Sequence, residues 1–159
     1  QGYQIGEVLD ERKGTSSGKV YRTEDYISAC VRDIRQAKKR VALCTRAFED
    51  EQLQTLIDAA GQKALEGVRF DLFVENASDE QVRRMRNAGF HVHFHARIVA
   101  CCLIEDQEIV WYGNVFSSQA ASSGIVRMVS RKDANELLEA RRREEIRQLS
   151  LQHAQASQS

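Results

Sequence analysis

The chain contains no proline at all, so no turn in it relies on a ring-fixed φ. It also lacks any long hydrophobic run. Nothing in it approaches the roughly 18 consecutive apolar residues of a membrane-spanning helix, and no signal-peptide pattern opens it. An excess of one charge is missing as well: 23 Lys and Arg stand against 23 Asp and Glu. Contact with nucleic acid must therefore come from local patches rather than from an overall field. Cysteine is sparse, and Cys30, Cys44, Cys101 and Cys102 include no CxxC pair. They read as reduced thiols of a cytoplasmic protein rather than as a disulfide framework. No membrane partner, cofactor or metal is expected. The first residue is Gln1 rather than Met, which hints at a piece of a longer polypeptide.

What is present is ordinary for one globular domain: 159 residues, 42% apolar and 29% charged. Gly6, Gly14 and Gly18 lie among Ser and Lys, so residues 1–20 read as a loose N-terminal arm. From Thr23 the apolar residues Tyr26, Ile27, Cys30, Val31 and Ile34 recur at helical spacing, and Lys38, Lys39 and Arg40 suit the helix's C-terminal end. A buried strand follows over 41–45, a helix over 51–65, a strand over 68–74, and a helix over 79–87 with Ser78 as its N-cap. Strands are then expected over 90–94, 98–104, 108–112 and 125–129, and a last helix over 133–143. The domain is placed at 21–147. The Gln-, Ser- and Ala-rich stretch 148–159 is read as a disordered tail. Strand–helix alternation followed by hairpin-like strands predicts an α/β domain, a mixed β-sheet flanked by helices.

The run 105–114, ending Ile109-Val110-Trp111-Tyr112-Gly113-Asn114, resembles the second half of the phospholipase D signature, H-x-K-x-x-x-x-D followed by G-S-x-N. The form it is most similar to is the single-motif domain attached to bacterial helicases and nucleases. Gly124 to Met128, then Ala134 to Glu139, also look like that group's ending, and the resemblance covers most of residues 20–140. It implies a phospholipase D-like fold and metal-independent phosphodiester chemistry. In that family a His attacks phosphorus, a second His protonates the leaving oxygen, and Lys, Ser and Asn hold the phosphate oxygens. In register with Trp111-Tyr112-Gly113, however, the motif His falls on Val99, the Lys on Cys101, the Asp on Asp106, the Gly on Gly113, the Ser on Asn114 and the Asn on Phe116. Only Asp106 and Gly113 keep the family's residue. Val99, Cys101 and Leu103 then read as residues alternating into the core of a plain strand.

Two other patterns compete for a role. His91, His93 and His95 share one strand face, and His95-Ala96-Arg97 mimics H-x-K four residues upstream of the motif position. A metal site is not expected there, since the outer two histidines lie about 13 Å apart on an extended strand. Lys38, Lys39 and Arg40, with Arg83, Arg84 and Arg86, are the candidate nucleic-acid contacts, DNA or RNA; Arg141 to Arg143 form a third cluster partly offset by Glu144 and Glu145. The expected function is a catalytically inactive phospholipase D-like module of a larger DNA-processing protein, helicase-like, serving in homodimerisation or nucleic-acid binding. The rival is a metal-independent phosphodiesterase or nuclease using His93 or His95 with Arg97.

Overall fold

Strand–helix alternation in the first half of the chain builds parallel pairing, because each helical crossover returns the chain to the same end of the sheet. The computed structural model describes residues 16–22, 25–118, 120 and 124–158. Strand β1 (Ser16–Tyr21) precedes α1 (Asp25–Gln36), β2 (Arg40–Thr45), α2 (Asp50–Leu65), β3 (Arg69–Val74), α3 (Asp79–Asn87) and β4 (His91–Phe94). Strands β5 (Cys102–Glu105), β6 (Ile109–Tyr112) and β7 (Ile125–Ser130) follow, then α4 (Arg131–Gln158). Among the described residues these strands form one sheet in the order β1-β7-β6-β5-β2-β3-β4. β2, β3 and β4 run parallel, and every other neighbouring pair is antiparallel. The expected mixed α/β domain is what forms.

The two-residue period of β2 divides the core. Val41 and Leu43 pack with Ile34, Leu53 and Met85 of α1, α2 and α3 on one face. Ala42 and Cys44 face the other way, against Phe73, Ile104, Val110 and the α4 residues Ala134, Leu137 and Leu138. Helix α3 begins as its sequence dictates. Ser78 and Gln81 form a reciprocal capping box, an arrangement contributing roughly 1 kcal/mol. Trp111 anchors the first face: its Nε1 donates to Asp33 Oδ2 at 2.7 Å, and Arg127 Nε donates to the same oxygen at 2.8 Å. Beside this cluster, at the end of β5, Glu105 is buried and its Oε2 finds no hydrogen-bond partner among the described residues. Burial, then the nearby Asp33 and Asp106 carboxylates, push its carboxyl up to about 8.

Several expectations are corrected. The N-terminal arm is in part a strand: residues 16–21 pair with β7, Ser16 opposite Ser130 and Tyr21 opposite Ile125; residues 1–15 lie outside the described residues. Thr23, expected to open the first helix, lies outside them too. Lys38, Lys39 and Arg40 do not close α1, which ends at Gln36; Arg40 instead begins β2. The stretch 148–158, expected to be disordered, continues α4. Tertiary contacts carry that helix past its expected end. Gln148 Nε2 donates to the Phe94 carbonyl at 2.8 Å, and its Oε1 accepts the Ala96 N–H at 2.9 Å. The good helix formers that follow have no breaker to stop them.

Candidate functional site

Of the positions aligned with the phospholipase D motif, Asn114 lies beside Thr45 at the C-terminal end of β2, and Asp106 lies by Lys38, Lys39 and Arg40 at its start. Asp106 sits in the β5–β6 turn with φ of 52°. Its carboxylate accepts the backbone N–H groups of Lys38, Lys39 and Arg40 at 2.9, 2.8 and 2.9 Å. Burial pulls this carboxyl up, but the three backbone donors outweigh it and hold it below its usual range. Asp106 thus clamps the α1–β2 connection at the opposite end of the sheet from Asn114. Gly113 has φ of +119° and donates its N–H to the Cys101 carbonyl at 2.9 Å. A Cβ there would meet Ile125 Cδ1 at 2.6 Å. Gly113→Ala is therefore expected to lower stability by roughly 2 kcal/mol, read as a shifted urea midpoint with an unchanged slope.

The other positions aligned with the motif differ in their surroundings. Val99 is 73% exposed, Cys101 is half-buried, and Phe116 lies in the core on the α1–α2 side. Asn114 Oδ1 accepts from Thr45 Oγ1 at 3.3 Å. The expected alternation of Val99, Cys101 and Leu103 into a strand core does not occur: only Leu103 is buried. The ladder with β2 starts at Cys102, opposite Cys44, so the chain before it has left the sheet. Residues 98–101 are tied down from outside, with Ile98 N–H donating to Glu75 Oε2 at 2.5 Å and Arg46 Nε to the Ile98 carbonyl at 3.3 Å. Glu49, which no motif pointed to, accepts from Ser118 Oγ at 2.9 Å at this end of the sheet.

His91 and His93 lie on β4 and His95 just after it, where the His95 N–H donates to the Val74 carbonyl at 2.9 Å. His95 has no exposed side-chain surface; its Nε2 is bonded to the Glu145 carboxylate, and Arg141 Nη1 lies 3.1 Å from its Nδ1. Because arginine only donates, Nδ1 accepts and the ring proton sits on Nε2, facing Glu145. Arg97 contributes only its carbonyl, to Arg141 at 3.4 Å, and its side chain is exposed. β5 and β6 pair from Cys102–Tyr112 to Glu105–Ile109 with no extra residues, so the ladder has no room for the four-residue insertion that an H-x-R register needs.

His93 does face a cleft, of about 490 Å³, between α4 and the β2–β3–β4 part of the sheet. Its Nε2 lies 2.8 Å from Asp71 Oδ1. Asp71 is 1% exposed and also accepts from Arg40 Nε and Arg69 Nε, each 2.9 Å from its Oδ2. Burial opposes ionisation of Asp71, but hydrogen bonds from His93, Arg69 and Arg40 prevail and hold its carboxyl well below the usual range. No group of three or more His, Cys, Asp and Glu among the described residues is arranged to hold a metal ion.

The six expected nucleic-acid contacts separate. Lys38, Lys39 and Arg40 lie at the start of β2, and Arg40 lines the α4 cleft. Arg83, Arg84 and Arg86 are on α3, on the opposite face of the sheet; Arg83 pairs with Glu80, and Arg84 Nη2 donates to Gln54 Oε1 at 2.6 Å. Arg69 and Asp71 carried a faint signal, two charged residues alternating along an otherwise apolar strand. Nothing local marked which partners they would meet. Among the described residues, no helix is long and apolar enough to cross a membrane.

No protein-family model and no curated protein sequence matches the chain. Solved structures do. NucT from Helicobacter pylori is similar over 91% of this chain and 93% of its own, with a TM-score of 0.62 and 12% identity. Polyphosphate kinase from Porphyromonas gingivalis matches 87% of this chain with 27% of its own, at a TM-score of 0.61 and 14% identity. TrmBL2, an archaeal chromatin protein whose structure shows a novel mode of DNA binding, matches 77% of this chain with 50% of its own, at 0.57 and 13%. NucT and the kinase have phospholipase D-superfamily folds, and the fold of this chain is phospholipase D-like.

Proposed function

We propose that this chain is a catalytically silent phospholipase D-like module of a larger, helicase-like DNA-processing protein in the cytoplasm, serving in self-association or in nucleic-acid docking. The content of the motif positions carries this reading. Val99 can neither attack phosphorus nor pass a proton, the Cys101 thiol offers no fixed positive charge, and Phe116 is turned into the core. Loss of a single oxyanion donor costs an enzyme about two to three orders of magnitude. Loss of the nucleophile as well leaves this mechanism without a first step. Docking is supported by the basic ridge at the start of β2, where Lys38, Lys39 and Arg40 are joined by Arg69.

A phosphodiesterase working through His93 or His95 with Arg97 is favoured by one observation, the His93–Asp71 pair in the α4 cleft. His95 is buried and Arg97 points its side chain elsewhere than the cleft lining. The two readings separate in one assay: the chain is incubated with labelled single- and double-stranded DNA and RNA in EDTA, then run on native and denaturing gels. A mobility shift with intact strands is expected. Cleavage that disappears in His93→Ala or His95→Ala would overturn the silent-module reading.

A further inference from the structure

We propose that the cleft under α4 binds a phosphate ester of nucleotide size. It is separate from Asn114, though not from Asp106, which holds the Arg40 N–H: Arg40, at its rim, lies about 16 Å along β2 from Thr45, which contacts Asn114.

The site is built around the buried Asp71. Arg40 and Arg69 are register partners on β2 and β3, and both direct Nε at the same Asp71 oxygen. This holds both guanidinium groups at one carboxylate. Their Nη groups make no hydrogen bond to another described residue, and the side chains remain 31% and 54% exposed. Paired, pre-aimed Nη edges match the oxygens of a phosphoryl group, which accepts in-plane pairs of N–H donors. Asp71 is therefore a positioning residue that holds the donors rather than one that meets the ligand.

The opposite wall supplies Arg141 and Arg142 from α4. Arg141 is anchored by His95 and the Arg97 carbonyl; Arg142 Nη1 sits 3.6 Å from Glu139. Four arginines face three carboxylates, Asp71, Glu139 and Glu145, so the lining carries one positive charge in excess with His93 neutral. The floor suits the rest of an ester. Phe73 and the His93 ring stack at 4.7 Å with 19° between planes, and Leu138 completes an apolar side. A volume of about 490 Å³ falls within the range of small-molecule sites. A free mononucleotide and the phosphorylated end of a strand present the same chemistry to it.

The proposal does not depend on the motif positions being silent: strand cleavage in EDTA would end that reading and leave this one standing. The test is calorimetric titration of the full chain, in EDTA and low salt, with AMP, with a 5′-phosphorylated hexathymidylate and with the same oligonucleotide lacking the phosphate. Arg69→Gln is expected to weaken binding at least tenfold, and Arg142→Gln, on the other wall, several-fold. Arg32→Gln, on α1 at the far face of the sheet, should leave it unchanged. Binding of AMP identifies a free-nucleotide site; binding of the phosphorylated oligonucleotide alone identifies a strand-end site. The proposal is overturned if neither phosphorylated probe binds, if the unphosphorylated oligonucleotide binds equally well, or if folded Arg69→Gln and Arg142→Gln chains both bind like the parent.

Discussion

Replacing Asp71 by asparagine is expected to lower the unfolding free energy by about 3 kcal/mol. The carboxylate is buried and serves three donors at once: Arg40 Nε, Arg69 Nε and His93 Nε2. An amide of the same shape supplies one acceptor and no charge, so two guanidinium groups are left crowded at the start of β2 and β3. Removing one partner of a buried ion pair costs about 3–5 kcal/mol; the lower end applies because both arginines keep part of their surface in water. The acid limb of stability should change as well. The Asp71 carboxyl lies below its unfolded value of 3.8, so its contribution is present above that pH and is lost as the pH falls below it. Asp71→Asn should flatten that limb. Urea unfolding at pH 7 and pH 3 measures both effects, and a loss under 0.5 kcal/mol at pH 7, on the order of a surface change, would refute the account.

Glu105 predicts the opposite dependence at higher pH. Its carboxyl is at about 8 in the folded chain against 4.5 in the unfolded one. Between those values the folded chain holds a proton that the unfolded chain has released. Its stabilisation is therefore whole below about 4.5, declines as pH rises, and is gone above about 8. One such proton is worth up to about 1.4 kcal/mol per pH unit, giving a few kcal/mol across the window. Glu105→Gln mimics the protonated form and removes the titration. The stability difference between variant and parent should grow in the variant's favour from pH 5 to pH 8 and then level off. Taking the difference cancels whatever ionisations the two proteins share. A difference independent of pH would mean that Glu105 is ionised in the fold throughout.

How much of this was legible from residue order depends on how local the cause was. Helix α3 was readable at its start because Ser78 is a local signal acting within one turn. The 41–45 and 68–74 strands were readable because burial on both faces leaves a short apolar run. Residues 98–101 misled for the same reason: an apolar stretch looks like a strand whether or not a partner is there to pair with it. At the other end, composition argued for disorder after Gln148, yet contacts from Gln148 to the Phe94 carbonyl and the Ala96 N–H, fifty residues away, continue the helix. The motif register did not foretell that Asp106 and Asn114 fall at opposite ends of β2, since that depends on how β5 and β6 pair with the rest of the sheet. The Arg40–Arg69–Asp71–His93 cluster was not foreseeable, since it joins three strands through one aspartate whose partners only the sheet order determines.

That sheet order also fixes a sequence of events along the growing chain. The α4-facing core is assembled from β2, β3, β5 and β6, strands whose pairing is largely non-local and so sets the pace of folding. The helix that covers them is the last of the described elements to leave the ribosome, and its own ladder closes within microseconds once the chain is available. Until it docks, Phe73, Ile104 and Val110 present a wet apolar surface next to the unpaired edge of β4. The interval between sheet formation and helix docking is thus the period in which nascent chains are most prone to stick to one another.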